Sequence, residues 1–135
     1  MPLVEWDESF SVNINLIDRQ HKKLFRLANE YHQALVDGKS KFALYKLLDG
    51  LAEYTAIHFS TEERYFAEFN FEDVEEHKRQ HKVILDKTNE LIAKAEVGVG
   101  IVDDEISKFL QIWLQGHIKG TDPKYVKCFH KNGLK

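Results

Sequence analysis

The sequence has one cysteine, no long apolar run and no excess of positive charge. The single cysteine, Cys128, excludes an intrachain disulfide and is consistent with a reducing compartment. The apolar runs are far shorter than the roughly 20 residues of a membrane-spanning helix, and Met1 to Phe10 lacks the basic-then-apolar order of a signal peptide. These absences predict a cytoplasmic protein without a membrane partner.

Charge and length narrow the possibilities further. The formal net charge is −3, and the lysines and arginines are spread along the chain, so no nucleic-acid partner is expected. The sequence shows no internal repeat and no low-complexity segment. With 135 residues, of which 43% are hydrophobic, the chain can bury a core within one domain, predicted to span 1–135.

Apolar residues recur at steps of three and four through four segments, which is the spacing of one buried helix face. These steps predict helices at 18–37, 41–69, 72–96 and 104–119. The residues predicted to cap or end them are Asp18, Gly38, Ser40, Asn70, Gly98, Gly100, Asp103 or Asp104, Gly120 and Pro123.

Short connections between successive helices favour antiparallel neighbours. The predicted fold is therefore all-α, an up-down-up-down four-helix bundle. The residues through Leu16 are predicted to form an irregular N-terminal arm, in which Trp6 and Phe10 cover the bundle. A short C-terminal turn or helix is predicted after Pro123.

Five of the seven histidines and two of the acidic residues form a spaced series along these helices. His58 with Glu62, and His77 with His81, are separated by four residues, which on a helix places both side chains on one face within about 6 Å. Such a pair can hold a metal ion. The candidate ligands are His21, His58, Glu62, His77, His81, His117 and Asp122.

Bundle topology predicts that the candidate ligands lie at one level. In an antiparallel bundle, the first and third helices begin at the end where the second and fourth finish. The candidates alternate accordingly between helix starts and helix ends along the sequence. His32 and His130 do not fit this arrangement, and we expect them to be surface or rim residues.

Asp122 can join the site only if the fourth helix ends before it. A five-residue step from His117 turns about 140° around a helix, so an intact helix would point Asp122 away from the face of His117. Gly120 can break the helix and let the carboxylate turn back. The spacing therefore predicts a helix end at the site.

The number of ligands indicates two metal ions. Seven ligands are too many for one ion, and two carboxylates among five imidazoles suit two ions bridged by Glu62 and Asp122. With a bridging solvent oxygen, one coordination position stays open for a small molecule. Iron, copper, zinc and nickel are all compatible with this ligand set.

The ligand series, together with the Ile17-Asp18-Arg19-Gln20-His21 and His58-Phe59 contexts, closely resembles the hemerythrin family, in particular bacterial hemerythrins. The resemblance runs from about Trp6 to Tyr125. It implies two iron ions per chain, bridged by Glu62, Asp122 and an oxo or hydroxo group. It also implies that O2 binds reversibly at an open position on one iron. That iron would carry His21 and His58, and the other would carry His77, His81 and His117.

Apolar residues near the ligands predict a pocket for O2. Each either follows a ligand directly or lies about one helical turn from one, so an apolar wall should face the open position. The resemblance implies that such residues line the O2 site and that the leucine contributes to gating. The predicted pocket residues are Phe59, Trp113, Leu114, Ile118 and, as a weaker candidate, Phe25. Tyr125 matches a tyrosine common in the family, but the sequence assigns it no role.

Two classes of function follow from these expectations. The first is a non-enzymatic protein for O2 storage, transport or delivery, with an O2-consuming enzyme as a candidate recipient, or for O2 sensing through a separate partner. A monomer is favoured because no additional wide apolar stripe demands a partner. The second is a di-iron enzyme acting on peroxide or nitric oxide, or an oxidase. Di-iron oxygenases use Glu-x-x-His pairs, and no glutamate lies three residues before any histidine here.

Overall fold

The computed structural model describes residues 2–97 and 102–135. Most of these residues lie in helices, and no strand occurs among them, which confirms the all-α prediction. Two 3-10 turns lie at Glu8–Phe10 and Asp122–Tyr125. The helices are α1 (Asn15–Val36), α2 (Lys41–Glu68), α3 (Val74–Val97), α4 (Val102–Gly120) and the short α5 (Val126–Lys131).

The four long helices pack in a closed ring. Helix α2 contacts α1 and α3, and α4 contacts α3 and α1. Because short turns join α1 to α2 and α2 to α3, these neighbours run antiparallel. The arrangement confirms the predicted up-down-up-down four-helix bundle. No helix in the described part of the chain is both long and apolar enough to cross a membrane.

The turn between α1 and α2 confirms two predicted boundary residues. Gly38 follows α1 with a φ of 69°, a conformation that glycine adopts without a steric cost, and its N–H donates to the carbonyl of Leu35 at 3.1 Å. Ser40 then caps α2, because its hydroxyl accepts a hydrogen bond from the backbone N–H of Ala43 at 3.2 Å.

The prediction that Asp18 caps α1 is wrong. The helix begins three residues earlier, and Asp18 lies in its first turn. Its carboxylate accepts hydrogen bonds from the backbone N–H of Val12 at 2.9 Å and from the hydroxyl of Ser11 at 2.6 Å. Because the preceding segment supplies these donors, Asp18 fastens the N-terminal arm to α1.

The start of α4 also differs from the prediction. The helix begins at Val102, so Asp104 lies inside it and is not its cap. Three other predicted boundary features, Gly98, Gly100 and the side chain of Asp103, lie outside the described residues.

The N-terminal arm covers the bundle, as predicted. The ring of Phe25 on α1 lies 4.9 Å from that of Phe10 and 5.6 Å from that of Trp6, measured between centroids. Asn29 on α1 pairs with the arm, donating to the carbonyl of Val4 at 2.8 Å and accepting from its N–H at 3.0 Å. These contacts hold the arm against α1.

Buried apolar side chains form two clusters. The larger runs through the bundle and includes Phe59 and Leu114, and the smaller includes Phe66 and Phe129 and lies under α5. The predicted C-terminal helix is therefore present and covers one end of the core. Buried histidines contact both clusters, which places the candidate site where the two clusters meet.

Candidate metal centre

The bundle brings all seven candidate ligands together. The ligands of α1 and α3 lie near the starts of those helices, and those of α2 and α4 lie near their ends, so all reach one level. Asp122 is the first residue of the 3-10 turn that follows α4, so the helix ends before it, as predicted. The side chains are at most 7% exposed: His21, His58, Glu62, His77, His81, His117 and Asp122.

The five imidazoles point their Nε2 atoms at the two carboxylates. Asp122 receives three of them, since its Oδ1 lies 3.0 Å from Nε2 of both His77 and His117 and its Oδ2 lies 3.1 Å from Nε2 of His21. Glu62 Oε1 receives the other two, at 3.0 Å from His81 and 3.6 Å from His58. The Nε2 atoms and the carboxylate oxygens therefore converge on a common interior.

These atoms separate into two groups, each with ligand atoms within 4.8 Å of one another. The three-histidine group consists of His77, His81 and His117 with both carboxylates. The two-histidine group consists of His21 and His58 with the same two carboxylates. Sharing of Glu62 and Asp122 places the groups side by side, as two bridged ions require.

The site has buried polar atoms that a metal ion would satisfy. Several have no hydrogen-bond partner within the described residues, although each costs about 1–3 kcal/mol when left unsatisfied. Imidazole nitrogen and carboxylate oxygen are also the donors that iron accepts in such sites. The residues therefore fit a pair of metal ions. The unpartnered site atoms include Nε2 of His21, His81 and His117, Oε1 of Glu62 and Oδ2 of Asp122.

Electrostatics favour the metal-binding forms of two ligands, His58 and Asp122. Burial lowers the pKa of His58 to about 4, which keeps its imidazole neutral. Burial raises the pKa of Asp122, but the charge of His117 and the close approach of the Nε2 atoms of three histidines outweigh burial, and the pKa lies well below the usual value. Both effects leave lone pairs available to a cation.

At His117, the carboxylate that would bridge the two ions also stabilises a proton on the imidazole. Burial lowers the pKa of His117, but the negative charge of Asp122, whose Oδ1 lies 3.0 Å from Nε2, outweighs burial, so the net shift is upward. Protonation of His117 therefore opposes metal binding at this position, because an imidazole binds a metal ion only in its neutral form.

The predicted pocket residues are buried close to the site, but not all contact its ligands. The ring of Phe59 stacks on His81, with centroids 3.7 Å apart and planes 5° apart, and lies 5.9 Å from His58. Leu114 and Ile118 belong to the same buried cluster as Phe59. Trp113 is also in this cluster, with its ring centroid 5.9 Å from that of Phe59.

Phe25 differs from the other pocket residues, since its ring contacts are to the N-terminal arm described above. Outside the site, Nε2 of His130 pairs with the backbone carbonyl of Asn13 at 2.8 Å, and His32 is half-buried. These positions agree with the prediction that His32 and His130 are surface or rim residues.

Three polar residues in contact with the ligands were not assigned from the sequence. The hydroxyl of Tyr125 donates to Glu62 Oε2 at 2.5 Å. Gln20 and Glu63 accept hydrogen bonds from the outer nitrogens of two histidines. Burial and the negative charge of Glu62 raise the pKa of Tyr125 well above its ordinary value, so its hydroxyl stays protonated and can donate.

Comparison with known proteins gives consistent matches over most of the chain. The family model described as the hemerythrin HHE cation binding domain matches residues 12–129. A bacteriohemerythrin of Methylococcus capsulatus is 30% identical over 129 residues, covering 95% of this chain and 98% of the relative. A hemerythrin-like protein of Naegleria gruberi is 39% identical over 120 residues, covering 89% of this chain and 88% of the relative.

Solved structures agree with the sequence matches. The crystal structure of a wild-type hemerythrin superposes with a TM-score of 0.87 at 29% identity, covering 93% of this chain and 97% of that one. A variant hemerythrin with a leucine replaced by alanine gives a TM-score of 0.88, with 95% and 98% coverage. The likeness therefore extends over both the bundle and the helices that carry the candidate ligands.

Proposed function

This chain belongs to the hemerythrin family, and we propose that it is a non-enzymatic protein that holds two iron ions and binds O2 reversibly at one of them. His77, His81 and His117 would hold one iron, and His21 and His58 the other. Glu62 and Asp122 would bridge the two. Two ferrous ions side by side can together supply two electrons to O2 and recover them when it leaves.

The unequal histidine count is the observation that carries this proposal. Both groups share the same two carboxylates, but one has three imidazoles and the other has two. The ion in the two-histidine group therefore has one protein ligand fewer. This difference supports an open coordination position there, where a diatomic ligand can bind.

Apolar residues around the site can keep water from that position. Phe59, Trp113, Leu114 and Ile118 are at most 5% exposed and share one cluster. Exclusion of water and protons would slow the loss of reduced oxygen species and oxidation of the irons. We propose that these four side chains form the wall of the O2 pocket, with Leu114 limiting access.

The ligand set is less suited to oxygenase chemistry. Among the described residues, two carboxylates and five imidazoles form the candidate ligand groups, so the ligands supply little anionic charge to stabilise strongly oxidised iron. We propose storage, transport or delivery of O2 as the role, with an O2-consuming enzyme as recipient, or sensing through a separate partner. We also propose that the chain acts as a monomer.

Cycles of oxygenation test the proposal directly. The purified protein is loaded with iron, reduced without air, exposed to air and then deoxygenated, while iron is counted and the visible spectrum is recorded. A charge-transfer colour that appears and disappears over several cycles, with two irons per chain, is the expected result. One-way oxidation, or turnover of added peroxide or nitric oxide, would favour a di-iron enzyme instead.

A further inference from the structure

Two polar residues outside the ligand set hold the outer nitrogens of candidate ligands. Gln20 Oε1 lies 2.6 Å from Nδ1 of His58, and Glu63 Oε2 lies 2.8 Å from Nδ1 of His81. Both rings direct Nε2 towards the same oxygen of Glu62. Each imidazole is therefore fixed between a shared bridging carboxylate and an outer acceptor of its own.

Each outer acceptor links two helices. Gln20 immediately precedes a candidate ligand on α1 but contacts His58 on α2, and Glu63 immediately follows one on α2 but contacts His81 on α3. Successive residues of a helix are rotated by about 100°, so one can face the interior while its neighbour faces the adjacent helix. The two outer contacts therefore orient the imidazoles across helix boundaries.

The amide of Gln20 is oriented by Thr61. The Thr61 hydroxyl donates to the carbonyl of Ile57 at 3.1 Å, so its oxygen is available to accept from Nε2 of Gln20 at 3.4 Å. The amide oxygen of Gln20 is thereby left facing His58. Because that oxygen only accepts, Nδ1 of His58 carries the hydrogen and Nε2 keeps its lone pair for an ion.

The two outer acceptors differ in charge. Gln20 offers a neutral amide oxygen, whereas Glu63 offers a carboxylate that is 31% exposed. A hydrogen bond to a carboxylate is stronger than one to an amide and raises the basicity of a metal-bound imidazole. The three-histidine group therefore has an anionic outer acceptor, and the two-histidine group has a neutral one.

We propose that Glu63 and Gln20 are positioning residues that give the two irons unequal electron donation. Glu63 makes His81 a stronger donor and favours the ferric state of the three-histidine iron. Gln20 orients His58 without adding charge. The two-histidine iron is therefore oxidised less readily and is better protected from irreversible oxidation. This inference rests on the proposed function, because it requires iron at both positions.

Charge-changing variants of equal size test this proposal on the iron-loaded protein. Glu63→Gln keeps an acceptor for His81 but removes the charge, and Gln20→Glu adds a charge beside His58. We expect Glu63→Gln to raise the midpoint potential. The autoxidation rate should fall by about tenfold, the smaller of the effects typical when a hydrogen-bond partner of a metal ligand is replaced. Gln20→Glu should lower the potential and speed autoxidation. The charge-transfer bands of the two variants should shift in opposite directions.

A matched control separates the hydrogen bond from charge acting through space. Glu75 lines the same surface groove as Glu63, beside His81. Glu75→Gln therefore removes an identical charge without removing the partner of His81. Its midpoint potential should stay close to that of the wild type. A shift as large as that of Glu63→Gln would overturn the proposal, because general surface charge would then explain both.

The remaining outcomes are also decisive. If the wild type cycles O2 but neither charge variant changes the potential, the proposed function stands and this inference fails. If both charge variants lose iron, Gln20 and Glu63 act only as structural supports, and the inference fails too. If the wild type itself does not hold two irons, both the inference and the proposed function fail.

Discussion

The three-histidine and two-histidine groups share their carboxylates but differ in how the protein surrounds them. In the three-histidine group, Phe59 stacks on His81, and the ring of Phe66 lies 4.7 Å from that of His77. In the two-histidine group, His21 and His58 contact each other edge-on, with centroids 4.7 Å apart. Phe59 also lies 5.9 Å from His58, but its stacked contact and the contact of Phe66 both belong to the three-histidine group.

This difference indicates how a nearly symmetric bundle can hold two unequal metal positions. The three-histidine group takes its imidazoles from α3 and α4, and a four-residue step on α3 supplies two of them at once. The corresponding step on α2 supplies one imidazole and Glu62, which both groups use. Helix α2 therefore has the bridging Glu62 at the position where α3 has a second histidine. As a result, the two-histidine group has one imidazole fewer.

Removing a carboxylate that both groups share should remove iron from both groups. Glu62→Ala deletes a ligand common to both ions and leaves the imidazoles of His58 and His81 facing a cavity. We expect iron to fall from two per chain to nearly none and O2 binding to disappear. Elemental analysis measures the iron, and circular dichroism checks the fold.

The exposed Glu76, whose carboxylate pairs with Arg79, provides a control for Glu62→Ala. Glu76→Ala should keep both irons and normal oxygenation. Retention of two irons with unchanged oxygenation in Glu62→Ala itself would contradict the assignment of this residue as a bridge.

Replacing one histidine at a time should weaken iron binding in one group and not in the other. His58→Ala leaves one imidazole in the two-histidine group, so reversible O2 binding should disappear. The affinity for one iron should fall by more than about 100-fold, because that is the largest loss typical of residues that contact only the ligands. His117→Ala should weaken the other iron. Iron titration with Mössbauer spectroscopy would identify which position is depleted. Identical depletion in the two variants would mean that the groups cannot fill independently.

Leu114→Ala should change the kinetics while leaving the ligands intact. Leu114 is fully buried, so its truncation should cost about 2–5 kcal/mol of unfolding free energy. We expect both irons to remain bound and autoxidation to become faster, because water reaches the O2 pocket more easily. Stopped-flow spectroscopy and thermal unfolding measure the two effects.

Leu51→Ala is the matched control for Leu114→Ala. Leu51 is equally buried and lies on α2, seven residues or about 10 Å along the helix from His58. It should lose similar stability while autoxidation stays unchanged. If both variants autoxidise equally fast, general loosening of the core explains the result, and Leu114 has no special role in access.

The level at which the ligands meet could be predicted from the sequence because it depends on periodicity and topology alone. Steps of three and four fix the face of each helix, and antiparallel order fixes which ends meet. The helix end before Asp122 could also be predicted, since on a continuous helix a five-residue step would point Asp122 away from the face of His117. The start of α1 could not be predicted in this way, because the carboxylate of Asp18 has the chemistry of a helix cap but accepts hydrogen bonds from Val12 and Ser11 of the arm.

The outer contacts of the site could not be predicted in the same way. Gln20, Glu63 and Tyr125 each contact a residue on another element, and the contact depends on how far that element is rotated and shifted. Hydrophobic periodicity does not report these quantities. The only available signal was position, since Gln20 and Glu63 are direct neighbours of ligands and therefore face an adjacent helix.

The smallest effect is expected from Tyr125→Phe, which removes one hydroxyl from the bridge and no ligand from either group. Tyr125 donates to the oxygen of Glu62 that does not face His58 and His81, so the variant keeps both irons. Hydrogen bonds to charged groups contribute about 1.5–3 kcal/mol, and we expect an unfolding free energy lower by about that amount.

The half-buried Tyr65 packs on Phe129, and Tyr65→Phe serves as the control, in which we expect little change of the unfolding free energy. Because Glu62 belongs to both groups, Tyr125→Phe should shift the spectra of the two irons together. A shift confined to one iron would mean that the bridge does not transmit the change equally.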